Sequence, residues 1–71
     1  MDMDILARFG GRIREQRKAL GLSQEELAEL AGVHRTYVGM VERGEKNITL
    51  LNIAKFAKAL RKSIHDLLNL E

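Results

Sequence analysis

Apolar residues at Ile5, Leu6, Phe9, Ile13 and Leu20 recur at helical spacing, and Gly21 follows where a C-terminal glycine belongs. This pattern predicts a first helix that ends just before the glycine. Arg17 lies on the same stripe, between Ile13 and Leu20. An inward-leaning arginine needs a carboxylate, because an unpaired buried charge is too costly to keep. Gly10 and Gly11 interrupt the helix at up to about 1 kcal/mol each relative to Ala, and close packing or mere tolerance accounts for them.

In the next stretch, Leu22-Ser23-Gln24-Glu25-Glu26-Leu27, Ser23 and Glu26 form a capping box and Leu22 and Leu27 a hydrophobic staple. A short helix is expected from Gln24 to Ala31, ended by Gly32. A second runs from about Arg35 to Arg43 and stops at Gly44, with Val38 and Val41 inward and Arg35, Thr36, Tyr37, Gly39 and Met40 outward. After the polar loop Glu45-Lys46-Asn47, Thr49 caps a helix from Leu50 to about Leu60. Its wide apolar face includes Leu51, Ile53, Ala54, Phe56, Ala57 and Leu60. Ser63 and Asp66 form another capping box, opening a last short helix through Leu67, Leu68 and Leu70. Five helices without a strand signal predict an all-α fold.

The chain has 71 residues, about half an ordinary domain, so residues 1–71 are expected to form one small domain. Such domains commonly rely on disulfides, a metal or a partner subunit. There is no Cys, and His34 and His65 lack metal-ligand spacing, so no disulfide, metal or other cofactor is expected. Self-association remains. No apolar run exceeds three residues, which argues against a transmembrane segment or an export signal; the expected location is the prokaryotic cytosol or nucleoid. The net charge of +2 hides an asymmetry: residues 35–62 carry seven basic groups against Glu42 and Glu45. That basic middle fits a localised anionic partner, or simply lysines solvated on helix exteriors. Charge does not separate the two.

Helix spacing does more. Two short helices joined by a tight glycine turn outline a helix-turn-helix. Over the twenty residues Gln24 to Arg43, small Ala28 falls where the helices cross and Gly32 where the turn needs positive φ. Leu27, Ala31, Val33, Val38 and Val41 occupy the positions that should be buried. A purely structural αα-hairpin would share this crossing, but it gives no reason for Arg35, Thr36 and Tyr37 at the start of the second helix. That is where a recognition helix meets base edges and phosphates.

On these residues the chain resembles the lambda-repressor/Cro-like (XRE) helix-turn-helix family. Leu22-Ser23-Gln24-Glu25-Glu26-Leu27-Ala28, Gly32 and Val41-Glu42-Arg43-Gly44 carry the likeness. His34-Arg35-Thr36-Tyr37-Val38 and Glu42-Arg43-Gly44-Glu45-Lys46-Asn47-Ile48 are similar to controller proteins of restriction–modification systems. The resemblance implies a small dimer that binds a palindromic operator in double-stranded DNA and regulates its own gene and the endonuclease gene.

It also implies roles for individual residues. Arg35, Thr36 and Tyr37 would contact bases, Arg35 most naturally guanine O6/N7 through its fork. Gln24 would bond a phosphate at a helix N-terminus, and Arg43, Lys46 and Asn47 would grip the backbone. Arg17 would pair structurally with Glu42. Gly39 and Lys46 depart from the controller pattern, where Ser and Arg are frequent, and His34 is an unusual N-cap. Met40 reads as half-buried filler.

Ile64, Leu67, Leu68 and Leu70 crowd a helix too short to bury them all, and Leu50 and Phe56 on the preceding helix could join them. This surface is the expected homodimer interface. Glu25, Glu26 and Glu29 form either a solvated acidic face or a contact for RNA polymerase. An antitoxin that also blocks a partner toxin is the alternative function, and it would call for a toxin-binding extension that is not read beyond Leu70. The chain is not expected to be an enzyme: there is no nucleophile–base pair or phosphate loop, and Ser23 and Ser63 are explained as caps.

Overall fold

A computed structural model describes residues 4–70, whose backbone forms five helices: α1 (Asp4–Ala19), α2 (Gln24–Ala31), α3 (Arg35–Glu42), α4 (Leu50–Leu60) and α5 (Ile64–Leu68). Residues 1–3 and Glu71, included in the expected 1–71 domain, lie outside the described part. The helix starts follow from local chemistry. Ser23 Oγ accepts the Glu26 N–H at 3.0 Å while the Ser23 N–H donates to Glu26 Oε1 at 2.8 Å, and Ser63 and Asp66 repeat the exchange at α5. Thr49 Oγ1 accepts the Asn52 N–H to open α4, whereas His34 opens α3 with no side-chain cap.

Gly32 ends α2 at φ 71°. Its N–H donates to the Glu29 carbonyl and the next N–H, of Val33, to the Ala28 carbonyl, the two bonds of a Schellman turn. The same pair of bonds closes α4 around Arg61, at φ 59°, where no glycine marks the stop. The left-handed conformation costs a residue with a Cβ roughly 1 kcal/mol or more.

Phe9 and Ile13 from α1, Leu27, Ala28 and Ala31 from α2, Val38 and Val41 from α3, Phe56, Ala57 and Leu60 from α4 and Leu67 from α5 make the core. Two expectations about the dimer surface need correction. Leu67 and Phe56 are both 0% exposed, so each belongs to the protomer's own core and offers nothing to a second copy. Phe56 and Leu60 set the inward side of α4, which leaves Leu51 on its outside at 67% exposure rather than on the packed face. Leu20, expected on the inward stripe of α1, is also half exposed, past the helix end.

The two glycines of α1 have different causes. A Cβ on Gly10 would run into the Val41 carbonyl oxygen and stand 2.6 Å from that of Glu42, so Gly10 lets α1 lie against the end of α3. A Cβ on Gly11 meets nothing within 4 Å. Gly11→Ala is expected to stabilise by up to about 1 kcal/mol, raising Tm by roughly 4–8 °C in a domain this small. Gly10→Ala should lower Tm sharply. Thermal melts of the two variants check this.

The capping boxes carry a pH dependence. The Ser23 N–H and hydroxyl hold the Glu26 carboxyl below its ordinary range, and the Ser63 hydroxyl and N–H do the same for Asp66. A lowered folded-state pKa stabilises above the unfolded value, and the contribution disappears as pH falls through the folded one. Glu26→Gln/Asp66→Asn should therefore melt below wild type at neutral pH, and the gap should close on acidification past both carboxyl groups.

Candidate nucleic-acid interface

The first turn of α3 holds no acidic residue, and Arg35 and Thr36 stand exposed on it. Val38 and Val41, buried on the opposite side, fix which face of α3 points outward. Tyr37 lies at the edge between the two. It is half-buried, its ring stacks on Phe56 with centroids 6.2 Å apart and planes at 16°, and its hydroxyl accepts the Asn52 side-chain N–H at 3.0 Å. Gly39, expected on the outward face, is buried beside the guanidinium of Arg43, whose Nη1 would stand 3.1 Å from a Cβ there.

Beneath this face is a buried ionic network. Arg17 Nε and Nη2 donate to the two carboxylate oxygens of Glu42 at 2.7 and 3.0 Å, and Nη1 donates to the Leu22 carbonyl at 2.8 Å. Gln24 Nε2 donates to Glu42 Oε1 at 3.1 Å. Hydrogen bonding to Glu42 raises the Arg17 pKa by more than burial lowers it, so the guanidinium stays charged. No buried side-chain nitrogen or oxygen among the described residues lacks a partner. Satisfaction of this kind is what makes a buried pair tolerable.

Gln24 is the first residue of α2, where backbone N–H groups lack helical partners. Its bond to Glu42 uses one hydrogen of the amide nitrogen and leaves the second to donate outward. Gln24, Glu25 and Arg35 line one surface depression. Lys46 and Asn47 lie exposed in the segment between α3 and α4. Arg43 Nε is engaged with Glu45 at 2.9 Å, a solvent-exposed pair. That hydrogen bond raises the Arg43 pKa and lowers that of Glu45. Among the described residues, no group of three or more His, Asp or Glu converges as a metal site.

Sequence pattern did not reveal the partners that hold Tyr37 and Gln24. Asn52 is fifteen residues from Tyr37, and Gln24 eighteen from Glu42. Only the helical phase of Asn52, on the same side of α4 as core residues, hints at a contact.

The helix-turn-helix family model HTH_3 matches residues 13–67, a span that contains α2, α3 and their turn. The chain belongs to this family. Control protein C.SmaI of Serratia marcescens is 48% identical over 66 residues, 93% of this chain and 79% of that protein. The crystal structure of the restriction–modification controller protein C.AhdI from Aeromonas hydrophila superposes with a TM-score of 0.86 at 55% identity, covering 87% of this chain and 94% of that one. The biofilm master regulator SinR, crystallised in complex with DNA, gives 0.82 at 39% identity, covering 86% and 98%.

Removing Glu42 would strand the Arg17 guanidinium in the interior. Glu42→Ala is expected to cost about 3–5 kcal/mol, comparable with the whole stability of so small a core. Arg17→Met/Glu42→Leu, which removes both charges, should remain folded. Circular dichroism melts of the two variants distinguish a stranded charge from general sensitivity of the site.

Proposed function

We infer that this chain is a sequence-specific DNA-binding transcription regulator of the restriction–modification controller type, acting as a dimer on a two-fold-symmetric operator. Arg35 and Thr36 carry this reading: they are exposed together on the acid-free first turn of α3, inside a helix-turn-helix whose near relatives include control proteins. Arg35 reads a base edge, preferring the paired acceptors of guanine, and Thr36 takes a neighbouring base or a thymine methyl. Gln24, Arg43, Lys46 and Asn47 supply phosphate contacts, which carry most of the affinity and its salt dependence.

The dimer uses Ile64, Leu68 and Leu70, with Leu50 and Leu51 on the adjoining α4. Leu50 and Leu68 are 69% and 46% exposed in the protomer, more apolar surface than a stable monomer needs to show. A two-fold axis through this surface sets two α3 helices about one DNA turn, ~34 Å, apart. Glu25 and Glu29 lie exposed on α2, an acidic face for RNA polymerase when the protein sits beside a promoter. Glu26 is already engaged in its capping box.

Selection of binding sites from random duplexes tests the reading. Wild type should enrich a two-fold-symmetric sequence. Arg35→Ala should lose preference at particular bases, about 1–3 kcal/mol there, whereas Lys46→Ala should weaken all sites evenly and reduce the salt slope by about one. Enrichment of no sequence at low salt would sink the regulator reading.

A further inference from the structure

Tyr37 is held more closely than a freely reaching contact residue. Its ring is stacked on buried Phe56, and its hydroxyl oxygen accepts a hydrogen bond from Asn52 Nδ2 at 3.0 Å. A phenol has one O–H to donate and a limited capacity to accept. With Asn52 donating to the oxygen, the hydroxyl proton is free to point away from α4. The side chain that carries it is half-buried and follows exposed Arg35 and Thr36 on the first turn of α3.

We propose that Asn52 is a positioning residue that fixes the Tyr37 hydroxyl as a hydrogen-bond donor towards DNA, so that a residue remote from the recognition helix sets what Tyr37 can read. In this arrangement Tyr37 selects acceptors: a phosphate oxygen, or a base edge presenting N7, O6 or O4. With Nδ2 turned to the phenol oxygen, as it is here, the amide at position 52 donates and leaves the hydroxyl proton to point elsewhere. A carboxylate in its place would accept the hydroxyl proton and leave no donor outward. The assignment rests on the DNA-binding reading above and adds to it a residue with no direct DNA contact.

The experiment is a double-mutant cycle on the operator recovered by selection. Affinities for that operator and for an unrelated duplex are measured for wild type, Tyr37→Phe, Asn52→Asp, Asn52→Ala and Tyr37→Phe/Asn52→Asp, with a thermal melt of each. Tyr37→Phe is expected to lower operator affinity about tenfold, the effect of losing one hydrogen bond to a charged or strongly accepting group. Asn52→Asp should lower it at least as much. Part of that loss is the added negative charge, which also weakens the unrelated duplex. In the Tyr37→Phe background only the charge part should remain, so the Asn52→Asp penalty should shrink by about tenfold.

Asn52→Ala, which frees the hydroxyl without capturing its proton, should cost less than Asn52→Asp and serves if the aspartate variant is unstable. A purely structural role would show in Asn52→Ala as a lower Tm with the affinity for both duplexes unchanged. An equal Asn52→Asp penalty in both backgrounds overturns the proposal. So does a Tyr37→Phe variant that binds the operator like wild type, and in that case the regulator reading stands. If wild type selects no operator, both readings fall together.

Discussion

The bidentate pair between Arg17 and Glu42 is the constraint on which the geometry of the helix-turn-helix depends. With the Leu22 carbonyl and Gln24 it forms a network of four residues, drawn from α1, the turn before α2, the first residue of α2 and the last residue of α3. α2 and α3 are joined covalently through the Gly32 turn at one end of each helix. Through Gln24 and Glu42 they are joined again at the ends remote from it. A short helix pair closed at both ends cannot splay, and both helices are referred to α1 through one guanidinium. Two eight-residue helices have little intrinsic stability, so tertiary bonds must supply the rigidity a reading head needs.

The same network explains why a charged pair is kept where apolar residues would pack as well. Buried pairs contribute little net stability, but they impose direction, because a fork and a carboxylate satisfy one another in few geometries. Here the direction is useful. Glu42 takes one amide hydrogen of Gln24 and so orients the other, while Gly10 allows the α1 backbone to approach the carbonyls of Val41 and Glu42 themselves. Removing charge from this place need not unfold the domain, yet it would leave Gln24 without an anchor.

Much of this was legible in the residue pattern. Both capping boxes, the Thr49 cap and the glycine stops of α1 and α2 depend on residues within a few positions of each other, and local spacing is what a sequence displays. Three features were not legible. Arg61 ends α4 in a left-handed conformation that the pattern would assign to glycine; tertiary packing overrides the preference. Leu67 is grouped with Leu68 and Leu70 because α5 holds only five residues, Ile64–Leu68, too few for a period to separate its inward leucine from its outward one. Which of them turns inward depends on how α5 docks, and there Arg12 of α1 donates through Nε and Nη2 to the Asp66 carbonyl. The Tyr37–Asn52 bond spans two helices, and no periodicity encodes it.

The Arg12 contact also bears on how the proposed dimer would act on DNA. α5 is short, and an interface built on it would transmit little orientation if it could swing. Two hydrogen bonds tie its backbone to α1, Leu67 plugs it into the core, and α1 in turn holds α3 through Arg17 and the Gly10 contact. The path from the exposed leucines to Arg35 therefore runs through packed helices and fixed hydrogen bonds rather than through a linker. The proposed two-fold contact at Ile64 and Leu68 would then set the spacing and tilt of two recognition helices together. Half-site spacing would be a property of the core, set before any base is touched.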